Sequence, residues 1–189
     1  MRILALHGYM QNATMMKKKM EKLFGSTVTS IVCPEGSYMP IPSNNEQYGW
    51  WPLPSKNMFN KPHTYSNMND FLEPFKELAK IQSEFDIIIG FSQGAVAATI
   101  LLDQGIIDAH LIVLISGSDI MDANFIPIKS ITTKALAVVG ETDSLCSLSD
   151  TEALLRHYKK HSIVTHKHGH IIPTSKSIRD AIRHACIME

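Results

Sequence analysis

The chain has 189 residues, 44% of them hydrophobic and 19% charged, which suits one domain over residues 1–189 with a sizeable core. Lys and Arg total 18 and so do Asp and Glu, so no basic excess points to nucleic acid or an anionic membrane surface. Three widely spaced cysteines, Cys33, Cys146 and Cys186, argue against a disulfide framework and for a reducing, cytoplasmic compartment.

The first residues enter an apolar strand at once, unlike a signal peptide, and no apolar run approaches the ~20 residues of a membrane span. Ile3 to His7 reads as that strand. Thr14 to Phe24 reads as an amphipathic helix with Met16, Met20, Leu23 and Phe24 inward, and Lys17-Lys18-Lys19 on its solvated face. Val28 to Cys33 is a second strand. Pro34 to Tyr65 lacks periodicity and is rich in Pro and aromatics, among them Tyr38, Tyr48, Trp50, Trp51, Phe59 and Tyr65. So long a loop is usually functional, and its aromatics argue against disorder. It is expected to lie over the active site at about 34–65.

Phe71 to Ile81 is helical, with Pro74 expected in its first turn. Phe85 to Ile89 reads as a buried strand and Ala95 to Leu102 as a buried helix. Leu111–Ile115 and Ala135–Val139 are further strands. Ser149 to Tyr158 is a helix capped by Ser149 or Asp150. Ser162 to His166 is a short last strand, and Thr174 to Ile187 a closing helix. Apolar strands alternating with helices predict a parallel sheet covered on both faces, a three-layer α/β/α sandwich. Ligands in such sheets bind outside the carboxyl ends of the strands.

Between the strand at 85–89 and the helix at 95–102 stands Gly90-Phe91-Ser92-Gln93-Gly94. A G-x-S-x-G pattern at a strand-to-helix turn forms a nucleophile elbow, with Ser92 at the helix start where free N–H groups favour negative charge. A serine needs a base, and the base an orienting acid, in the order Ser, acid, His. Asp143 follows the strand at 135–139 and is preferred over Glu141, which lies closer to the strand end. His170 is preferred as base over His168, because Gly169 permits a turn presenting it and Pro173 restarts a helix behind it. The oxyanion is expected to meet the backbone N–H groups of Gln93 and of Tyr9, in the turn Leu6-His7-Gly8-Tyr9. His7 reads as a buttress of that turn. Zinc on His166, His168 and His170 is an alternative, lacking a nearby cysteine or acid to complete the set.

These motifs resemble a family of small eukaryotic serine hydrolases of the α/β-hydrolase superfamily. The resemblance rests on Arg2 to Tyr9 with Gln11-Asn12, on Trp50-Trp51, and on Phe85-Asp86 before Gly90 to Ala95. It continues through Ile115-Ser116-Gly117, Gly140 to Asp143 and His168 to Pro173, in family order over almost the whole chain. It implies an α/β-hydrolase fold with a reduced sheet of about six mostly parallel strands and a triad of Ser92, Asp143 and His170. It also implies carboxylesterase or thioesterase activity without a cofactor or metal. Two stretches depart from the family pattern. His168-Gly169-His170 replaces Gly-Gly-His, and Ser118-Asp119-Ile120 replaces the usual residues at the pocket wall.

The expected function is hydrolysis of carboxylic esters or thioesters of small or acyl-chain substrates through an acyl-enzyme, the partner being a small-molecule ester or thioester. Trp50 and Trp51 are expected to wall the acyl pocket, the alternative being a loop simply packed on the sheet. A phospholipase, a peptidase or a binding module that keeps the fold are the competing functions. The protein is expected to act as a monomer or homodimer, without nucleic acid.

Overall fold

Side chains alternate across a β-strand, so a strand apolar at every position must be covered on both faces. A computed structural model describes residues 1–25, 28–40, 46–53, 64–127 and 130–187. Its elements are β1 (Arg2–Leu6), α1 (Ala13–Phe24), β2 (Ser30–Val32), α2 (Met68–Ile81), β3 (Glu84–Phe91) and α3 (Gln93–Asp103). They continue with β4 (Asp108–Ile115), β5 (Lys134–Gly140), α4 (Leu148–Leu155), β6 (His161–His166) and α5 (Lys176–Ile187). The six strands pair in parallel in the order β2-β1-β3-β4-β5-β6.

The alternation divides the core in two. Leu4, Leu6, Ile88, Ile112, Leu114, Ala135 and Ala137 face Phe71 and Phe75 of α2, Ala97 and Leu101 of α3, and Leu154 of α4. Ile3, Ala5, Ile87, Ile89, Leu111, Val113 and Val138 face Met16, Met20 and Phe24 of α1 and Ile178 and Ile182 of α5. The result is the expected three-layer sandwich. Chain order runs outward in both directions from β1 and β3, so the switch point lies between them. A crevice at their carboxyl ends is where an open α/β sheet accepts a ligand. The segments leaving those two ends are Gly8-Tyr9 and Phe91-Ser92.

Several boundaries differ from expectation. Helix α2 starts at Met68, so Pro74 lies beyond the first turn, inside the helix, where it removes the bond to the Asp70 carbonyl. The cap of α4 is Ser147, neither Ser149 nor Asp150. Its side chain accepts from the Asp150 N–H while the Asp150 carboxylate takes the Ser147 N–H, a capping box. The same helix ends at Leu155, and Tyr158 instead sends its hydroxyl to Thr99 Oγ1 at 2.8 Å. Of the loop at 34–65, residues 41–45 and 54–63, including Phe59, lie outside the described residues. Among the described residues, no helix is long and apolar enough to cross a membrane.

Candidate active site

Strand β3 runs straight into the turn that carries Ser92. Its backbone sits at φ 53° and ψ −120°, a left-handed conformation costing a non-glycine residue about 1–3 kcal/mol. The strain is held by two backbone bonds, from the Ser92 N–H to Ile115 O and from the Ala95 N–H to Ser92 O, both 2.9 Å. A Cβ at Gly90 would lie 2.5 Å from Ala95 Cα, and one at Gly94 would strike the Leu6 and His7 carbonyls. The two glycines therefore let α3 start against the sheet. Gly94 also brings the end of β1 against the first turn of α3.

Asp143 lies past the end of β5, its side chain fully buried. Its Oδ1 accepts the N–H groups of Leu145 and Cys146, both at 2.9 Å. His170 Nδ1 lies 2.9 Å from Oδ2 and 3.1 Å from Oδ1. Burial opposes a charge on Asp143, but the Cys146 N–H, the Ser116 hydroxyl, the His170 ring and the Leu145 N–H outweigh it and hold the pKa below the ordinary carboxylate value. The Ser116 oxygen exerts this effect without a hydrogen bond of regular geometry. A carboxylate only accepts, so Nδ1 carries the His170 proton and Nε2 keeps its lone pair. The ring rests on Phe91, with centroids 4.9 Å apart.

Ser92 and His170 line one cavity of about 490 Å³. Trp51, Leu53, Tyr65, Val96, Met121 and Leu145 form its apolar wall, and Ser116, Ser118 and Asp119 its polar one. A hydroxyl and an imidazole oriented by a buried carboxylate form the set that proton abstraction and nucleophilic attack require. The Glu141 carboxylate accepts from Thr165 Oγ1 at 3.2 Å, and it is Asp143 that meets His170. His166 is buried, and its Nδ1 accepts the His168 N–H at 3.3 Å. With His170 Nδ1 turned to Asp143, the three histidines do not converge. Among the described residues no three His, Cys, Asp or Glu side chains are placed to hold a metal.

Both tryptophans are buried in the core and both pack on Phe71, but only Trp51 also lines the cavity, while Trp50 packs on Phe75 as well. The Gln93 side chain ties both to the elbow, accepting the Trp50 N–H at 2.9 Å and donating to Trp51 O at 2.8 Å. Sequence reasoning used only the Gln93 backbone and overlooked this bracket. Ser116, at a left-handed φ of 49°, and the Asp119–His157 contact were also overlooked.

His7 is fully buried behind the elbow. Its Nδ1 donates to Gly8 O at 2.8 Å, its Nε2 accepts the Gly36 N–H at 3.0 Å, and its carbonyl accepts Trp50 Nε1 at 2.8 Å. Burial lowers its pKa from the ordinary 6.5 more than the Gly8 carbonyl raises it. The ring is thus neutral, and Glu35, at 3.6 Å, is a neighbour rather than an ion-pair partner. The unfolded chain takes up a proton below about pH 6.5 that the folded ring refuses, so the His7 contribution is full above that pH and declines below it. Melting temperature is expected to fall from pH 7.5 to 5.5, and to fall less over that interval in His7→Gln. An equal or steeper fall in the variant contradicts a neutral buried His7.

The chain matches the serine hydrolase (FSH1) family over residues 1–182. Esterase OVCA2 of Xenopus tropicalis is 29% identical, over 92% of this chain and 86% of its own length. Esterase CG5412 of Drosophila melanogaster is 25% identical, over 92% and 69%. Among solved structures, Arabidopsis thaliana SOBER1 superposes with a TM-score of 0.67 at 19% identity, covering 97% of this chain and 98% of that one. A carboxylesterase from Mesorhizobium loti gives 0.69 at 16%, covering 97% and 86%. These likenesses agree with the α/β-hydrolase fold built above from strand order and elbow. The match over residues 1–182 makes the chain a member of the serine hydrolase (FSH1) family.

Proposed function

We propose that this serine hydrolase cleaves carboxylic esters or thioesters of acyl-chain substrates. Ser92 is the nucleophile, His170 the base and then the acid, and Asp143 the group that fixes the His170 tautomer. The observation carrying this reading is the Asp143–His170 pair at 2.9 Å, whose ring opens onto the same cavity as Ser92 at its strained turn. The esterase names of the relatives from Xenopus tropicalis and Drosophila melanogaster support the choice of an ester bond.

His170 Nε2 takes the proton of Ser92 Oγ as the oxygen attacks the carbonyl carbon. The backbone N–H groups of Tyr9 and Gln93 receive the developing oxyanion. The packing of Gly94 on the Leu6 and His7 carbonyls supports this pairing of turns from β1 and α3. Collapse passes the proton to the leaving oxygen or sulfur and leaves an acyl-Ser92 ester. Water, deprotonated by His170, then releases the acid. No step calls on a metal or cofactor. Trp51, Leu53 and Val96 offer the acyl chain an apolar wall. We further propose one domain over 1–189 that acts as a monomer or homodimer.

Stopped-flow mixing with p-nitrophenyl esters tests the covalent route. A burst of p-nitrophenol equal to the enzyme concentration is expected wherever deacylation is slower than acylation. Parallel assays with acyl thioesters of matched length separate the two leaving groups. Failure to cleave any ester or thioester in the series contradicts the proposal.

A further inference from the structure

Among the residues lining the cavity, Asp119 carries a charge that ester hydrolysis does not require. Asp119 lies on the segment leaving β4, close to the elbow because the Ser92 N–H bonds to Ile115 O at the end of that strand. It is the only acid lining the cavity, and neither lysine nor arginine lines it, among the described residues. Both hydrogen bonds made to it by described residues fall on Oδ1, from the Ile120 N–H at 2.8 Å and His157 Nε2 at 2.7 Å. The second oxygen, Oδ2, keeps its acceptor capacity, and 32% of the side-chain surface stays open.

The segment is fixed on both sides of Asp119. Thr151 Oγ1 donates to Gly117 O at 3.0 Å, and the Met121 N–H donates to the Tyr65 hydroxyl at 2.8 Å. Ile120 is buried. Burial opposes the Asp119 charge, but the His157 hydrogen bond, the Ile120 N–H and the charges of His157 and Arg156 outweigh it and keep its pKa below the ordinary carboxylate value. A carboxylate so held is an acceptor only, placed in advance in a mostly apolar cavity.

We infer that Asp119 is a specificity-determining residue, selecting substrates that bear a hydroxyl or ammonium group and rejecting those with a carboxylate at the same place. The inference rests on the ester-hydrolase reading above and narrows it from acyl esters in general. His157 is the positioning residue for Asp119. A carboxylate serving only to pin the loop predicts no such selection, so substrate ratios, not stability, separate the two roles.

The test uses p-nitrophenyl esters of linear acids ending in methyl, hydroxyl, ammonium or carboxylate over a range of lengths. A second set carries the same termini on the alcohol of a matched ester. At the best length, the wild type is expected to favour the ammonium or hydroxyl terminus over methyl by about 10- to 100-fold in kcat/KM, the range for a hydrogen bond to a charged group. The carboxylate terminus is expected to be the poorest. In Asp119→Asn, which keeps the side-chain shape, the ammonium-to-carboxylate ratio is expected to fall toward one. Fluorophosphonate labelling confirms that the variant's site is assembled. An ammonium-to-carboxylate ratio near one in the wild type overturns the inference whatever the variant does, as does an unchanged ratio in a labelled Asp119→Asn. Hydrolysis of methyl-terminated esters with no preference leaves the ester-hydrolase reading standing, whereas no hydrolysis of any ester overturns both.

Discussion

Ser92→Ala is expected to lower kcat for a p-nitrophenyl acyl ester by about a million-fold, the loss seen when the nucleophile of a serine triad is removed. The prediction follows from geometry rather than from the motif alone. Ser92 stands where β3 ends and α3 begins, in a backbone state that points its side chain away from the preceding strand. No other described serine beside the cavity shares that placement: Ser116, Ser118 and Ser144 line the wall but lie outside the β3–α3 turn. The variant should fold, because the bonds that hold the turn, from Ser92 N–H to Ile115 O and from Ala95 N–H to Ser92 O, are backbone bonds. Melting temperature checks the fold and initial rates check the chemistry. A loss of less than about tenfold in a folded variant contradicts the assignment of Ser92.

The second large effect belongs to Asp143→Asn, expected to cost about ten-thousand-fold in kcat. The cause is a tautomer. The Leu145 and Cys146 N–H groups both point at the Oδ1 position, so an asparagine there keeps its carbonyl oxygen facing them. Its amide nitrogen must then occupy the Oδ2 position, 2.9 Å from His170 Nδ1. Nδ1 is forced to accept, the proton moves to Nε2, and the ring loses the lone pair that takes the Ser92 proton. The shape of the site is nearly unchanged, so substrate binding should suffer far less than turnover. Steady-state kinetics with separate kcat and KM, alongside a melting curve, checks this. An Asp143→Asn enzyme with kcat within tenfold of the wild type removes Asp143 from the mechanism.

Both predictions use residues whose positions follow from short-range pattern. Ser92, Asp143 and His170 each come after a strand of the sheet, the first two after apolar runs and His170 after the shorter, more polar β6, and a parallel sheet collects the carboxyl ends of its strands at one rim. The apolar runs and glycine turns therefore sufficed to predict the sandwich and its strands, and they named Asp143 and His170, which hydrogen-bond, and Ser92, which lines the same cavity as His170. Helix edges were harder to read. Ser147, Ser149 and Asp150 are all good caps, and the choice fell to Ser147 because Asp150, three residues on, completes the reciprocal pair. Pro74 lies inside α2 because Phe71 and Phe75 bury their rings against Trp50, and that packing outweighs the lost backbone bond.

Residues brought together across long stretches of chain left no periodic signal. Trp50 and Trp51 are adjacent and both lie in the core, yet only Trp51 also lines the cavity. The deciding contacts come from Gln93, more than forty residues away in sequence, and from His7. Likewise Asp119 meets His157 across 38 positions. Such pairs depend on tertiary placement, which neither hydrophobic period nor turn chemistry encodes.

The most direct measurement of the central claim is the site of a covalent adduct. The purified chain is treated with a fluorophosphonate, digested and mapped by mass spectrometry. The account predicts one phosphonyl group on the peptide carrying Ser92, with labelling lost in Ser92→Ala and sharply slowed in Asp143→Asn. An adduct on another residue, or no adduct on a folded protein that still hydrolyses esters, contradicts it.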